Sequence, residues 1–259
     1  MATIAAVGGV ALTSRGASPT ASRAPSAMPA PAATPSSSAT PAPVATPAPA
    51  ATPSPSAARA PAPTPTRPES ALAAGSPVVT IGDSIMAGYG LDDPATSAWP
   101  VRLAVQTGAV VVNDSCSGAG FISFGDCGTT YAGLVAAAAA AHPGLIVIQS
   151  SDNDLGEDPS TLAAATNRTV QALRAAVPNA RIVGLSTLWN QPGAVPAEVS
   201  ESSDDLRLAL AAVGGSFIDI GQPLAGHSGM LQDDDEHPTD AGQEALATAI
   251  LADLRASNV

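Results

Sequence analysis

Short apolar segments alternate with segments of helical periodicity along most of the chain. The apolar segments are near-continuous runs, the pattern of parallel strands that are buried on both faces. They lie at residues 77–82, 109–113, 145–149, 181–186 and 216–220. Helical patterns lie at about 97–107, 129–141, 160–177, 198–213 and 239–256. Five strands joined by helices predict an α/β fold, a three-layer α/β/α sandwich around a parallel sheet.

Composition divides the chain into three segments. Residues 1–17 begin with about a dozen mostly apolar residues, too few for an ordinary membrane span, and we expect a signal peptide or the remnant of an anchor. Residues 18–70 are rich in Pro, Ala, Ser and Thr, which predicts a disordered linker. Residues 71–259 are long enough to form one domain with a sizeable core.

The charge of the chain bears on its binding partners, and its cysteines bear on its cellular compartment. The chain has no lysine, and residues 71–259 carry six arginines against 21 acidic residues, which argues against nucleic acid as a partner. The two cysteines, Cys116 and Cys127, are separated by ten residues. This arrangement predicts a local disulfide in a protein outside the cytosol, the alternative being two unrelated buried thiols.

Functional sites of parallel α/β sheets lie outside the carboxyl ends of the strands. In the stretch VVTIGDSIMAGYG, residues 78–90, the first strand stops at Gly82 and Ser84 follows where a helix could begin. A serine at this position is placed to act as a nucleophile. The same Gly-Asp-Ser turn could equally be an ordinary cap of the next helix.

The loop LQDDDEHPTDAG, residues 231–242, contains an acid and a base that a serine nucleophile requires. Asp234 precedes His237 by three residues, so the carboxylate can turn back and orient the imidazole as a general base. Asp233 or Asp235 could take the place of Asp234, and the whole segment could instead be an exposed acidic entry to a helix. A metal site on these consecutive acids would lack the spacing of a known calcium loop.

Two further loops contain candidate donors for an oxyanion. Gly118 lies in NDSCSGAG and Asn153 in SSDNDLG, after the second and third strands. Together with the backbone N–H of Ser84, a glycine N–H and an asparagine amide could hold the negative oxygen of a tetrahedral intermediate. The alternatives are a turn glycine and a turn asparagine.

Taken in order, GDSIMAGYG, SAWP, VVNDSCSG and LQDDDEHP resemble the SGNH hydrolase (GDSL-type esterase) superfamily, in particular its bacterial thioesterase I/lysophospholipase branch. The resemblance covers residues 77–256 and implies a flavodoxin-like sheet of strand order 2-1-3-4-5. It also implies a nucleophile, two oxyanion donors, an orienting acid and a general base, at Ser84, Gly118, Asn153, Asp234 and His237.

The chain departs from the family pattern at two positions. Ile85 stands where the first motif usually has leucine. Ser151 stands at the glycine of the usual Gly-x-Asn-Asp motif, which puts the placement of Asn153 in question.

The expected function is that of a secreted or surface-tethered serine esterase that needs neither a metal nor an organic cofactor. We expect a monomer that acts on a small-molecule, lipid or glycan ester and binds no nucleic acid. An O-deacetylase or O-acyltransferase of cell-envelope polysaccharide is an alternative, and so is a non-catalytic surface binding module. Five aromatic residues in or beside the site loops could form a substrate-binding wall or simply pack those loops: Tyr89, Trp99, Phe121, Phe124 and Trp189.

Overall fold

The computed structural model describes residues 71–259. The segments predicted at 1–17 and 18–70 lie outside the described residues.

A five-stranded sheet forms the centre of the domain. Its strands are β1 Pro77–Ile81, β2 Val110–Asn113, β3 Leu145–Gln149, β4 Arg181–Leu185 and β5 Ser216–Ile218. Every neighbouring pair is parallel, and the strand order is β2-β1-β3-β4-β5. The α/β class and the order 2-1-3-4-5 are therefore confirmed.

Helices connect the strands and cover both faces of the sheet. They are α1 Ser84–Ala87, α2 Pro94–Ser97, α3 Trp99–Thr107, α4 Tyr131–Ala140, α5 Pro159–Ala176, α6 Ala197–Ala212 and α7 Asp240–Ala256. A short 3₁₀ helix spans Asp152–Asp154. The five long helices lie where helical periodicity predicts them, whereas α2 and the 3₁₀ helix carry too few residues to show a period. Across residues 71–259, the structure has no helix with the length and apolarity required to span a membrane.

Alternate residues of the central strands enter two separate cores. On one face, Val78 and Leu145 pack in a cluster with Trp99 and with residues of α7 such as Leu246. On the other face, Val79 and its neighbours in β3 join residues from α4, α5 and α6. The near-continuous apolar pattern of β1 and β3 therefore reflects burial on both faces.

The exposure of β2 differs from what its apolar pattern predicts. Burial on both faces is wrong for β2, where Val110 is 56% exposed and Val112 is 39% exposed. The strand order explains the difference, because β2 lies at the edge of the sheet with β1 as its single neighbour. Its valines suit an extended backbone whether or not both faces are covered.

Candidate active site

Ser84 lies at the junction of β1 and α1. The carboxylate of Asp83 caps the helix by accepting a hydrogen bond from the Ile85 N–H at 3.0 Å. A side chain at Gly82 would collide with Met86, since a Cβ there would lie 2.6 Å from the Met86 sulfur. The glycine therefore leaves room for the Met86 side chain where β1 passes into α1, with Ser84 at the carboxyl edge of the sheet.

Two side-chain amides fix the short helix that carries Ser84. Asn113, at the end of β2, donates from Nδ2 to the Met86 carbonyl at 2.9 Å. Gln243 of α7 donates from Nε2 to the Ile85 carbonyl at 2.9 Å and accepts from the Trp99 N–H at 2.8 Å. Gln243 is completely buried. Sequence reasoning missed it, although an uncharged polar residue on the apolar face of α7 is a signal that could have revealed it.

The loop before α7 brings His237 and Asp234 to Ser84. His237 Nε2 lies 2.9 Å from Ser84 Oγ, and His237 Nδ1 lies 2.7 Å from Asp234 Oδ2. The other carboxylate oxygen of Asp234 accepts from the N–H groups of Glu236 and His237, at 3.0 and 2.9 Å. Asp234, rather than Asp233 or Asp235, is thus the carboxylate that contacts the ring. With the Nδ1 proton donated to Asp234, Nε2 is free to accept the serine proton.

These hydrogen bonds also set the charge of Asp234. Partial desolvation raises the pKa of this carboxyl, but the His237 and Glu236 N–H groups and the His237 ring outweigh it and lower the pKa to about 2. Asp234 is therefore ionised at any pH near neutrality and can stabilise a protonated imidazole.

A glutamine and a tyrosine connect the histidine loop with the serine loop. Gln232 donates from Nε2 to the carbonyls of Tyr89 and Pro238, at 2.8 and 3.0 Å. The Tyr89 ring lies over the His237 ring with their centroids 4.6 Å apart. A side chain at Gly90 would collide with the amide of Gln232. Both contacts restrict the position of the imidazole relative to Ser84.

The predicted oxyanion donors lie on two neighbouring loops. Gly118 has a left-handed backbone, with φ 75°, and Asn153 donates from Nδ2 to the Ala119 carbonyl at 3.2 Å and to Ser151 Oγ at 2.9 Å. Among the described residues, no acceptor is bonded to the backbone N–H of either Ser84 or Gly118. The structure thus brings Asn153 to the loop of Gly118, whereas their roles as oxyanion donors stay predictions.

A buried carboxylate that sequence reasoning missed holds these two loops together. Asp154 is 1% exposed and accepts from the backbone N–H groups of Phe121, Ile122 and Ser123, at 2.6, 3.1 and 2.9 Å. Any side chain at Gly120 would meet this carboxylate, so glycine is required there. Three backbone donors converging on one carboxylate make Asp154 the main connection between the loops after β2 and β3.

The predicted disulfide is present. Cys116 and Cys127 are bonded, with their Cα atoms 6.0 Å apart, and they close the loop that contains Gly118. Such bonds are typical of proteins in oxidising compartments.

The pKa values of two further acids close to the site are raised. Burial raises the pKa of Asp83, although hydrogen bonds from Ser151 and the start of α1 oppose the shift. Desolvation, together with the charges of Asp83 and Glu236, raises the pKa of Asp152 to about 7. One oxygen of Asp152 is buried without a hydrogen-bond partner, which is consistent with a carboxyl that binds a proton readily.

A cavity of about 510 Å³ lies between the loops after β4 and β5. Its lining includes Trp189, Asn190, His227 and Ser228. Asn190 donates from Nδ2 to the carbonyl of Glu236, the residue before His237, at 2.8 Å. The cavity is therefore joined directly to the loop that carries the histidine.

The five aromatic residues fall into two groups. Trp99 and Phe121 are buried in the two cores, so for them the packing alternative is correct. Tyr89 is 51% exposed beside His237, Phe124 is 74% exposed, and Trp189 lines the cavity.

Three of the acids before His237 are exposed, at Asp233, Asp234 and Asp235. Across residues 71–259, no group of three or more His, Cys, Asp or Glu side chains is arranged to hold a metal ion.

Comparison with known proteins agrees with this fold. The model of the GDSL-like Lipase/Acylhydrolase family matches residues 80–245. The GDSL lipase Rv0518 of Mycobacterium tuberculosis (strain ATCC 25618 / H37Rv) is 31% identical over 188 residues, which are 68% of this chain and 80% of the relative. The fold and the sequence together define an SGNH-type hydrolase. The chain belongs to the GDSL-like lipase/acylhydrolase family.

Two solved structures show how far the similarity extends. The crystal structure of TesA is 26% identical, with a TM-score of 0.55, over 70% of this chain and 99% of that one. A carbohydrate esterase family 2 enzyme with a carbohydrate binding domain, from Corynascus thermopiles (Myceliophthora fergusii), is 22% identical, with a TM-score of 0.58. The latter similarity covers 75% of this chain and 68% of that chain and concerns the fold alone.

Proposed function

We propose that this hydrolase cleaves carboxylic esters through an acyl-enzyme on Ser84. The observation that carries the proposal is the unbroken series of contacts from Ser84 Oγ to His237, at 2.9 Å, and from His237 to Asp234, at 2.7 Å. A serine hydroxyl becomes nucleophilic when an imidazole takes its proton, and the imidazole is held in the correct tautomer by a carboxylate.

In the first half of the reaction, Ser84 Oγ attacks the ester carbonyl carbon while its proton passes to His237 Nε2. The carbonyl oxygen becomes negative and accepts hydrogen bonds from the N–H groups of Ser84 and Gly118 and from the Asn153 amide. When the tetrahedral intermediate collapses, the alcohol leaves with the proton from His237, and the acyl group remains on Ser84.

In the second half, His237 takes a proton from water, and the resulting hydroxide attacks the acyl carbonyl. Collapse of this second intermediate breaks the bond to Ser84 Oγ, which regains its proton from His237. The free acid leaves. No group outside the named residues and water is required by this sequence.

Hydrolysis of p-nitrophenyl esters from acetate to palmitate by the full chain tests the proposal. We expect Ser84→Ala to abolish turnover, whereas the exposed Ser257→Ala, in the C-terminal turn, leaves it unchanged. The rate is also expected to fall with decreasing pH, because a protonated imidazole cannot accept the serine proton. Equal turnover by wild type and Ser84→Ala would show that another group carries the reaction.

A second candidate function is O-deacetylation or O-acyl transfer on a cell-envelope polysaccharide. The cavity beside the histidine loop favours it, because an indole face at Trp189 and polar groups at Asn190, His227 and Ser228 suit a polyhydroxylated substrate. Its lining contains no lysine or arginine that would bind a phosphate headgroup.

Acetylated sugars separate the two candidates. If the cavity binds sugar, Trp189→Ala raises KM for the acetylated sugar and leaves p-nitrophenyl acetate hydrolysis near the wild-type rate. An effect of Trp189→Ala on long-chain p-nitrophenyl esters alone would favour an acyl-binding cavity instead. Sugar binding without any Ser84-dependent turnover would support the binding-module alternative.

We also propose that the protein is exported to the cell envelope or the medium. The Cys116–Cys127 disulfide supports this location, since cytosolic thiols are kept reduced. Fractionation of cells that express the full chain tests it, with thiol alkylation before denaturation to record the disulfide. Recovery in the cytosol with two free thiols would contradict export.

A further inference from the structure

We propose that Ser151 is a positioning residue that orients the Asn153 amide toward the oxyanion, an inference that rests on the proposed esterase function. Ser151 is completely buried, follows β3 and caps the 3₁₀ helix that contains Asn153. It occupies the position at which the family pattern usually has a glycine, so a hydroxyl is present here where that pattern provides none.

The Ser151 hydroxyl uses its full hydrogen-bonding capacity. It donates to Asp83 Oδ2 at 2.7 Å, and it accepts from Asn153 N at 3.1 Å and from Asn153 Nδ2 at 2.9 Å. A hydroxyl has one proton and two acceptor lone pairs. Because the Ser151 hydroxyl donates its one proton in the hydrogen bond to Asp83, its oxygen can only accept hydrogen bonds from its other neighbours.

This polarity determines which end of the Asn153 amide faces the site. If the amide were turned over, its oxygen would face two acceptors, Ser151 Oγ and the Ala119 carbonyl, and no donor would lie between them. The NH₂ end is therefore held toward the loop that contains Gly118. An asparagine without the Ser151 hydroxyl loses one of the two contacts that select this orientation.

The two hydrogen bonds that the Asn153 amide donates differ in length, in a way that suits an oxyanion donor. The bond to Ser151 Oγ is 2.9 Å long, whereas the bond to the Ala119 carbonyl is 3.2 Å long. A negatively charged oxygen is a stronger acceptor than a carbonyl. The N–H that makes the longer contact, to the Ala119 carbonyl, is the one that an oxyanion can share, while the N–H on Ser151 keeps the amide in place.

The same hydroxyl connects the amide to the nucleophile. Asp83 accepts the hydrogen bond from the Ser151 hydroxyl and also caps α1, the helix that begins at Ser84. Ser151 thus joins the helix of the nucleophile to the loop of the oxyanion amide through a single oxygen atom.

Kinetics of Ser151→Ala on p-nitrophenyl acetate test the role. We expect kcat to fall on the order of 10-fold with KM nearly unchanged, because the lost contact matters when the oxyanion forms; removing an oxyanion donor outright costs more, about 10² to 10³-fold. Ser150→Ala is the matched control, since Ser150 is equally buried and bonds to the Ser202 carbonyl, away from Asn153. It should keep kcat within about twofold of wild type, the size of a change of about 0.4 kcal/mol.

A double-mutant cycle with Asn153→Ala separates positioning from general support of the fold. If Ser151 acts through Asn153, Ser151→Ala has no further effect on kcat in the Asn153→Ala background. Multiplied effects of the two substitutions would overturn the proposal. Ser151→Gly, the residue usual in the family, repeats the test should alanine fail to fold.

The outcome also separates this inference from the proposed function. Ser84-dependent turnover in the wild type with an unchanged kcat in Ser151→Ala would overturn the role of Ser151 alone. Absence of Ser84-dependent turnover on any ester would overturn the esterase proposal, and the role of Ser151 with it.

Discussion

The two sides of the site are built in different ways. The base loop, residues 231–238, combines bonds between residues a few positions apart, such as those of Asp234 to Glu236 and His237, with exposed or partly buried bonds to Tyr89 and Asn190. The oxyanion loops, residues 114–128 and 150–155, are held by a disulfide and by bonds between residues about 30 or more positions apart. The base loop is half open to solvent at Asp234, whereas Ser151 and Asp154 are buried.

Because of this difference, substitutions on the two sides should mainly affect different quantities, the reaction rate on one side and the free energy of unfolding on the other. Few buried contacts depend on the base loop, so a substitution there should change the rate and leave the fold intact. The oxyanion loops are anchored by buried polar groups, whose loss leaves backbone donors without partners. Loss of the anchoring carboxylate Asp154 or of the disulfide should therefore act mainly on the free energy of unfolding, whereas Ser151 and Asn153, which also serve the proposed oxyanion site, should change the rate as well.

The largest expected effect is on the rate, in the base loop. Asp234→Asn should lower kcat by about 10³ to 10⁴-fold, since the amide no longer stabilises the protonated imidazole or fixes its tautomer. The melting temperature should stay close to that of wild type because the side chain is 42% exposed. Steady-state kinetics and thermal unfolding check both parts.

Asp235→Asn is the matched control for this rate effect. Asp235 has a positive φ of 58°, which asparagine tolerates well, and it makes no contact with the imidazole. A loss of rate in Asp235→Asn comparable to that in Asp234→Asn would show that the neighbouring acid is the partner of His237.

The next largest effect is on stability, in the oxyanion loops. Asp154→Ala should lower the free energy of unfolding by about 3 to 5 kcal/mol, because three backbone N–H groups lose their acceptor in a buried site. Urea denaturation measures the change. Asp158→Ala, which removes an exposed helix cap of α5, should lower the free energy of unfolding by much less. Equal losses in the two variants would remove the distinction between buried and exposed carboxylates.

The same division explains what the sequence could predict. The strands follow from apolar runs, and the contact of Asp234 with His237 follows from a three-residue spacing on one loop. These are local patterns. Asp154 and the bonds of Ser151 depend on which loops meet in space, and no periodicity or spacing along the chain encodes that. The helical periodicity of α7 marks Gln243 as a polar residue on an apolar face, but it does not give its partners.

The exposure of β2 was missed for a related reason. Val110 and Val112 satisfy the preference of an extended backbone for β-branched side chains. That preference is the same in a central strand and in an edge strand, so the apolar run alone cannot distinguish them. The strand order implied by the family resemblance does place β2 at the edge, and it agrees with the exposure observed.

A third effect sharpens the contrast within the oxyanion loops. Replacing Cys116 and Cys127 together by alanine should lower the free energy of unfolding by about 3 kcal/mol, the value expected for a closed loop of this length. Ser84 and His237 lie outside this loop, so Ser84 should still react with an organophosphonate, although more slowly, because the loop carries the proposed oxyanion donor Gly118. Denaturation and labelling rates check the two parts. Lost labelling with unchanged stability would contradict the separation of the two sides.

The smallest effect concerns how stability depends on pH beside the oxyanion loops. The pKa of Asp152 is raised from 3.8 to about 7 in the folded chain. Between these values the folded state binds more protons than the unfolded state, so this group's contribution to stability is full below about pH 4 and is lost as pH rises to 7. Asp152→Asn removes that dependence and should increase the free energy of unfolding at pH 8, relative to wild type, by about 1 to 2 kcal/mol. This figure is discounted from about 1.4 kcal/mol per pKa unit because Asp152 is partly exposed.

Urea denaturation at pH 4.5 and pH 8 measures this change in Asp152→Asn, wild type and a control, Asp92→Asn. Asp92 is exposed on the loop between α1 and α2, so its substitution should give two curves parallel to those of wild type. Asp83, buried beside Ser151, contributes in the same direction, so the pH dependence should be reduced in Asp152→Asn and not abolished. The contrary outcome is a free energy of unfolding that changes by the same amount between pH 4.5 and pH 8 in Asp152→Asn and in wild type. That result would mean that the Asp152 carboxyl of the wild type is already ionised at pH 4.5 in the folded protein.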